Sequence, residues 1–552
     1  MKKNKYLLLF SSIGVFLLLV YAAVSENFYK EWQGIQAEAK TADGPLDVRL
    51  RQIINPSLRT TDRCVTCHLG MAPGETVISN RRVAAPHKPV FHSPTEMGCT
   101  TCHGGQGLAT EKLDAHGLVE FWPQPMLPAK NAYASCGTCH TPIEVPNSRR
   151  LEAETKIFER LDCYACHRLN GRGGTLRPGG KTGMEGPDLS GTGIKGFNKQ
   201  WYEDHLKRLN EDGSGLWKNA FGEIPESERA ALDQFLALQM GAPALIRAKA
   251  EFNSVGCAGC HVVGNFGGDT GADLSRVGEK DPNRLSYANV PGERTYPNWI
   301  AQHFRSPVST VEGSQMPAFG LSEGQIDLLT MYMLSLRRTS VPDVWLPKDR
   351  VRVMRFGARE FTSDAETIYS AVCTGCHGVR GQGMRYPGLP PYPSITNRDL
   401  LETATDDLLF ATIKQGRPSR PMLPWGERQN GFSDEEIRSL IAYIRMLGGG
   451  VEALPDDRPA RWASGNAKEG SRLFAANCAG CHGAMGEGGE GPALNNKVLL
   501  ANATDTFFYE TIRRGRRGTV MRAFSEPSPV RKALTDKEIE SIVTYLRSFG
   551  VK

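Results

Sequence analysis

The chain has 552 residues, too many for one hydrophobic core, and at about 100–200 residues per domain it should divide into roughly three to five units. Its composition, 40% hydrophobic and 23% charged, excludes a disordered or fibrous chain. The formal charge of +6 is small for this length and is not gathered into a basic tract, which argues against nucleic acid as a partner.

Lys2, Lys3 and Lys5 precede nineteen apolar or small residues, Tyr6 to Val24, a run long enough to cross a bilayer as a helix. A cleaved signal peptide is the alternative, because Ala23-Val24-Ser25 is a tolerable cleavage site. The run exceeds the usual signal core of about 7–15 residues, so a retained inner-membrane anchor over residues 1–25 is expected. With the positive end inside, residues 26–552 fall in the periplasm. From Ser25 to Lys40 the chain is charged and helix-compatible, with Phe28, Trp32 and Ile35 spaced as an apolar stripe.

The fourteen cysteines fall into seven Cys-x-x-Cys pairs, each followed by histidine. They are Cys64, Cys67 and His68; Cys99, Cys102 and His103; Cys136, Cys139 and His140; Cys163, Cys166 and His167; Cys257, Cys260 and His261; Cys373, Cys376 and His377; and Cys478, Cys481 and His482. One such motif could be half a zinc site or a redox dithiol. Seven copies with no cysteine left over point to seven covalently bound c-type haems, two thiols holding each ring and the histidine reaching its iron.

Three motifs crowd between Cys64 and His140, in a stretch with little helical periodicity and many breakers, Pro73, Pro86, Pro94 and Pro123 among them. A loop-rich trihaem domain over 26–145 is expected, with the haems themselves supplying its core. From about 146 the chain repeats at roughly a hundred residues per motif, which predicts four monohaem units over 146–243, 244–345, 346–452 and 453–552. Each opens with a short amphipathic helix before its cysteines and closes with another: Glu226 to Leu238, Ser322 to Leu336, Ser433 to Leu447 and Thr535 to Phe549. Ser433-x-x-Glu436 and Thr535-x-x-Glu538 have the spacing of a capping box. Proline-bearing linkers, 341–347 and 454–459, should permit flexing between units.

These four units resemble class I cytochromes c. The resemblance implies a mainly α fold of small all-helical domains, with a proximal histidine after the cysteines and a methionine from a later loop completing the iron. It also implies a carbonyl partner for the proximal imidazole from a Gly-Pro-x-Leu segment. Gly186-Pro187-Asp188-Leu189 and Gly491-Pro492-Ala493-Leu494 match it, whereas Gly271-Ala272-Asp273-Leu274 lacks the proline. The N-terminal block, from Asp62-Arg63-Cys64 to Cys102-His103-Gly104-Gly105-Gln106-Gly107, is similar over about eighty residues to multihaem regions of cytochromes that accompany quinol-oxidising cytochrome b complexes.

Axial ligands set much of a haem's potential, and methionine in place of a second histidine raises it. Met316, Met422 and Met521 stand before the closing helices of the fifth, sixth and seventh units and are the expected sixth ligands there. In the fourth unit, counting as far from Trp201 as Met316 lies from Trp299 gives Lys218, so lysine has replaced methionine. Lys218, His205 or another side chain such as Met184 or Met240 could ligate that iron, or its sixth position could be open. Five histidines lie outside the motifs: His87, His92, His116, His205 and His303. The first three fall among the three crowded haems, which predicts bis-histidine ligation there without assigning the pairs.

A graded series of low- and high-potential haems on one tethered chain fits an electron-transfer subunit with no catalysis of its own. Its expected donor is an inner-membrane quinol-oxidising cytochrome b-type complex, and its acceptor a soluble cytochrome or terminal oxidase. The rival reading is a multihaem reductase or peroxidase whose open catalytic haem sits at Cys163–His167.

Overall fold

The computed structural model describes residues 2–72, 74, 76–88, 90–174, 186–196, 198–207, 224–418, 420–426 and 431–550. The fold is mainly helical. Strands among the described residues form four two-stranded antiparallel ribbons. Two of these, Arg168–Leu169 with Arg172–Gly173 and Val262–Val263 with Phe266–Gly267, follow directly on the fourth and fifth haem motifs. Asn170-Gly171 and Gly264-Asn265 take the left-handed conformation that a tight hairpin demands.

The first helix, Lys2–Phe28, carries an apolar window of mean hydropathy 2.5 with none of it buried inside the protein. Two residues later Glu31–Ala37 forms a second helix. Of the anticipated stripe, Trp32 and Ile35 are buried and Phe28 is exposed, because the first helix runs on through Phe28 before the chain turns. The inward face is completed by a polar residue instead. Gln36 is fully buried, donates from Nε2 to the carbonyls of Arg49 and Thr66 at 2.9 Å each, and accepts from Arg51 Nη1 at 2.8 Å. Thr66 lies between Cys64 and Cys67, so this helix clamps the first haem motif.

The block to residue 145 is built of short turns, the longest being a 3-10 helix over Ala129–Thr138 that leads into the third motif. Beyond it the opening helices are Ser148–Arg160, Pro243–Val255 and Ala467–Asn477. In the sixth unit the opening helix is short, Ala365–Ile368, and continues as a π turn over Tyr369–Cys373. The closing helices are Glu226–Ala237, Glu323–Ser335, Asp434–Leu447 and Asp536–Ser548. Capping boxes start the last two, and a third, Ser322 with Gln325, starts Glu323–Ser335.

One hydrophobic core runs from Leu127 and Ala134 in the trihaem block through the fifth unit to Ile444 in the sixth. The fourth unit has its own small core around Phe158, Tyr202 and Phe235, and the seventh has another around Phe474, Phe508 and Ile542. The linkers are tied down. Arg350, just past 341–347, donates to the Thr141 hydroxyl at 2.6 Å and the Arg337 carbonyl at 2.8 Å. Leu454 donates its N–H to Glu402 O at 2.8 Å. Proline stiffens these segments, and side chains on either side then fasten them.

Candidate haem-binding sites

No disulfide joins any of the fourteen cysteines, which leaves each sulfur to add to a haem vinyl group. In the four C-terminal units the proximal imidazole is oriented by the same contact. His167 Nδ1 donates to Pro187 O at 2.9 Å, His261 to Ala272 O at 2.7 Å, His377 to Pro393 O at 2.9 Å and His482 to Pro492 O at 2.8 Å. That bond fixes the tautomer and leaves the Nε2 lone pair for a metal. The fifth unit shows that the carbonyl, and not the proline ring, does this. Before the carbonyl, Gly186, Gly271 and Gly491 lie flat on the imidazole, where a Cβ would come within 2.4, 2.6 and 2.7 Å of the ring.

Four of the five spare histidines each face one proximal histidine. Ring centroids are 6.4 Å apart for His68 and His116, 6.2 Å for His87 and His103, 6.0 Å for His92 and His140, and 6.1 Å for His167 and His205. Two metal–imidazole bonds of about 2.0–2.1 Å, plus the distance from nitrogen to ring centre on each side, separate centroids by roughly 6 Å. Burial pushes His68, His92, His103, His116 and His205 below the ordinary imidazole range and His140 down to about 4. A ligand nitrogen must be neutral, so the low values suit iron. The fifth, His303, instead lies parallel to Trp299 at 5.3 Å.

Met316 and Met422 are half-buried against the large core, and Met521 is half-buried in the seventh unit. The last two sit in loops of matching design: Arg417 N donates to Met422 O and Arg516 N to Met521 O, both at 2.7 Å. The side chains of these two arginines test whether the pockets suit a haem. Burial holds each guanidinium down to about 10. Arg516 donates to the hydroxyls of Thr403 and Thr511, while among the described residues no carboxylate pairs with Arg417. A haem brings two propionates, anions that a buried cation such as Arg417 could pair with, so the residues fit the group. Lys218 and Met184 lie outside the described residues, and Met240 is buried in the large core.

The sequence matches two family models, the cbb3-type cytochrome c oxidase subunit III over residues 361–444 and cytochrome c over 467–550. The cbb3-type cytochrome c oxidase subunit FixP of Bradyrhizobium diazoefficiens is 28% identical over 34% of this chain and 60% of its own length. A cytochrome bc1 complex cytochrome c subunit from Corynebacterium diphtheriae is 24% identical over 37% of this chain and 71% of its own. Cytochrome CL of Methylophaga aminisulfidivorans, a solved structure, is 37% identical over 15% of this chain and 51% of that one, with a TM-score of 0.13. The chain spans about three-fifths of the length of the FixP relative. The chain is a multihaem c-type cytochrome.

Within this cytochrome the motifs approach one another in an order that differs from the chain's. The sulfurs of Cys64 and Cys99 are neighbours, joining motifs one and two. Ser135 Oγ donates to the Cys102 carbonyl, joining two and three. The third motif then packs on the fifth unit: a Cβ on Gly137 would come within 2.5 Å of Ser335 O at the end of that unit's closing helix. The fifth and sixth motifs meet backbone to backbone, with Cys260 and Cys376 in thiol contact and Gly259 so close to Val372 that a Cβ would come within 2.6 Å of its carbonyl. Asp399 and Arg517, 2.6 Å apart, tie the sixth unit to the seventh. Pro393 and Arg417 escape sequence reasoning. Pro393 follows Tyr392 and not glycine, and only its contact with His377 marks it.

Proposed function

We propose that this chain is a membrane-anchored heptahaem cytochrome, with its bulk in the periplasm, that carries electrons from a quinol-oxidising cytochrome b-type complex to a soluble cytochrome or terminal oxidase. Seven c-type haems, when bound, supply outer-sphere electron transfer. The fourteen motif cysteines attach them and the seven motif histidines are their proximal ligands. On the distal side His116 serves opposite His68, His87 opposite His103 and His92 opposite His140, while Met316, Met422 and Met521 serve the last three units.

The observation that carries this reading is the unbroken run of motif contacts that begins at the juxtamembrane helix. Gln36 holds Thr66 in motif one, and motifs one, two and three adjoin, followed by the fifth and sixth units. Two imidazoles on each early site and methionines on the late ones give a gradient that favours movement away from the membrane. The FixP and bc1-subunit relatives support a place in a respiratory complex. A catalytic rival needs an open iron position, and its one candidate, opposite His167, faces the His205 ring.

Redox titration of the full-length protein with magnetic spectroscopy tests the proposal. At least three bis-histidine haems of low potential and three histidine–methionine haems of high potential are expected; a single potential class overturns it. Reduction by quinol should require the membrane fraction, and direct reduction of purified protein at the same rate would remove the donor complex from the scheme.

A further inference from the structure

The fourth unit has the helical plan of its three successors, yet its distal side is built differently. The helix Lys199–Lys207 is seated by Tyr202 and Leu206, one turn apart and buried in the unit's core with Phe158 and Phe235. Seating those two positions fixes the direction of position 205 on the neighbouring face. The His205 ring consequently stands 6.1 Å from that of His167, inside the 6.0–6.4 Å range of the three N-terminal pairs. The fifth unit is an internal control. Its aligned residue, His303, sits on the corresponding helix Tyr296–Arg305, but its plane lies 8° from that of Trp299 in a stacked pair, and among the described residues it forms no such ring pair with His261. One position in two homologous units thus has two arrangements, and of the two it is the unit with Lys218 at the position aligned with Met316 that directs its histidine at the proximal ring.

We infer that His205 is the sixth iron ligand of the haem attached at Cys163 and Cys166. The inference rests on the proposed attachment at those cysteines. It places the fourth unit with the N-terminal block by ligation and with the C-terminal units by fold, so the change from two imidazoles to imidazole and thioether falls between the fourth and fifth units.

The test uses the full-length, haem-loaded protein, with low-temperature EPR and near-infrared magnetic circular dichroism to separate bis-histidine, histidine–amine and histidine–methionine irons. The parent should show four bis-histidine irons. His205→Ala should remove one of the four and create one high-spin iron that binds carbon monoxide when reduced. His205→Met, which offers a replacement ligand and guards against misfolding of the alanine variant, should give one additional histidine–methionine signal and move one haem upward in a redox titration. Lys218→Met should leave every signal in place. A histidine–amine signal lost in Lys218→Met, or parent-like spectra in both His205 variants, overturns the assignment. A haem assay separates the two claims: if Cys163→Ala/Cys166→Ala retains as many haems as the parent, it is the attachment reading that fails.

Discussion

At Gly186, Gly271 and Gly491 the backbone lies where a side chain would strike the proximal imidazole, so this contact is steric before it is electronic. Gly271→Ala should cost about 1–3 kcal/mol through forced displacement of His261, read as a lowered unfolding midpoint. Ala272→Pro should leave the stability near the parent's, since the carbonyl and not the ring is the acceptor. Arg417 presents the opposite case, a buried cation that pairs with no carboxylate among the described residues. On the proposed attachment at Cys373 and Cys376, replacing Arg417 by glutamine removes a nearby positive charge and should lower that haem's potential, measured by redox titration. What the sequence discloses at this scale is covalent and local. Spacing singles out the cysteine pairs and their histidines as candidates, and place before a helix does the same for Met316, Met422 and Met521. The partners of His68, His103 and His140 are 48, 16 and 48 residues away in the chain, on loops whose return path no periodicity records.

Among the elements, the opening helix Ser148–Arg160 buries an acid. Glu154 is 2% exposed, accepts from Arg150 Nε at 3.1 Å, and burial raises its carboxyl to about 7. A carboxyl raised above its unfolded value contributes its full stability below that value and loses it as pH rises through about 7. Glu154→Gln should therefore flatten the fall in stability between pH 5 and 8 and gain about 2–3 kcal/mol at the upper end, measured by denaturant titration. The interface between motifs five and six is tighter still. Gly259→Val should separate Val372 from the fifth motif and weaken the magnetic interaction between the two neighbouring irons, measured by EPR. The closing helices were legible to within a residue or two, because apolar period and capping boxes are local signals. The hairpins after His167 and His261 were not among the expected elements, although the Asn170-Gly171 pair of the first is a local turn signal. The π turn at Tyr369–Cys373 has no such signature, since it arises where the helix is fitted to the packed fifth motif.

At the scale of the whole molecule the expected row of separable units gives way to a central body, in which the end of the trihaem block and the fifth and sixth units share one core. Chain order misleads here because contacts between units depend on surfaces that only the folded elements create. The seventh unit is joined to that body by charge as well as by apolar packing. Arg517 holds Asp399 below the usual carboxylate range, so this contribution is present above the ordinary carboxyl value and is lost as pH falls through and below it. Small-angle scattering should show the molecule expanding at acid pH before its helices melt, and Asp399→Asn should bring that expansion to neutral pH. At the other end the connection is short. Only Tyr29 and Lys30 separate the first two helices, and Lys30 bridges Glu26 at 2.6 Å and Glu111 at 3.0 Å. With the first helix in a bilayer, the short connection and that brace would hold the first motif close to the membrane surface. Encounter with the proposed membrane donor would then be a search in two dimensions, by lateral diffusion, whose rate is set by crowding in the membrane plane and not by concentration in the surrounding fluid.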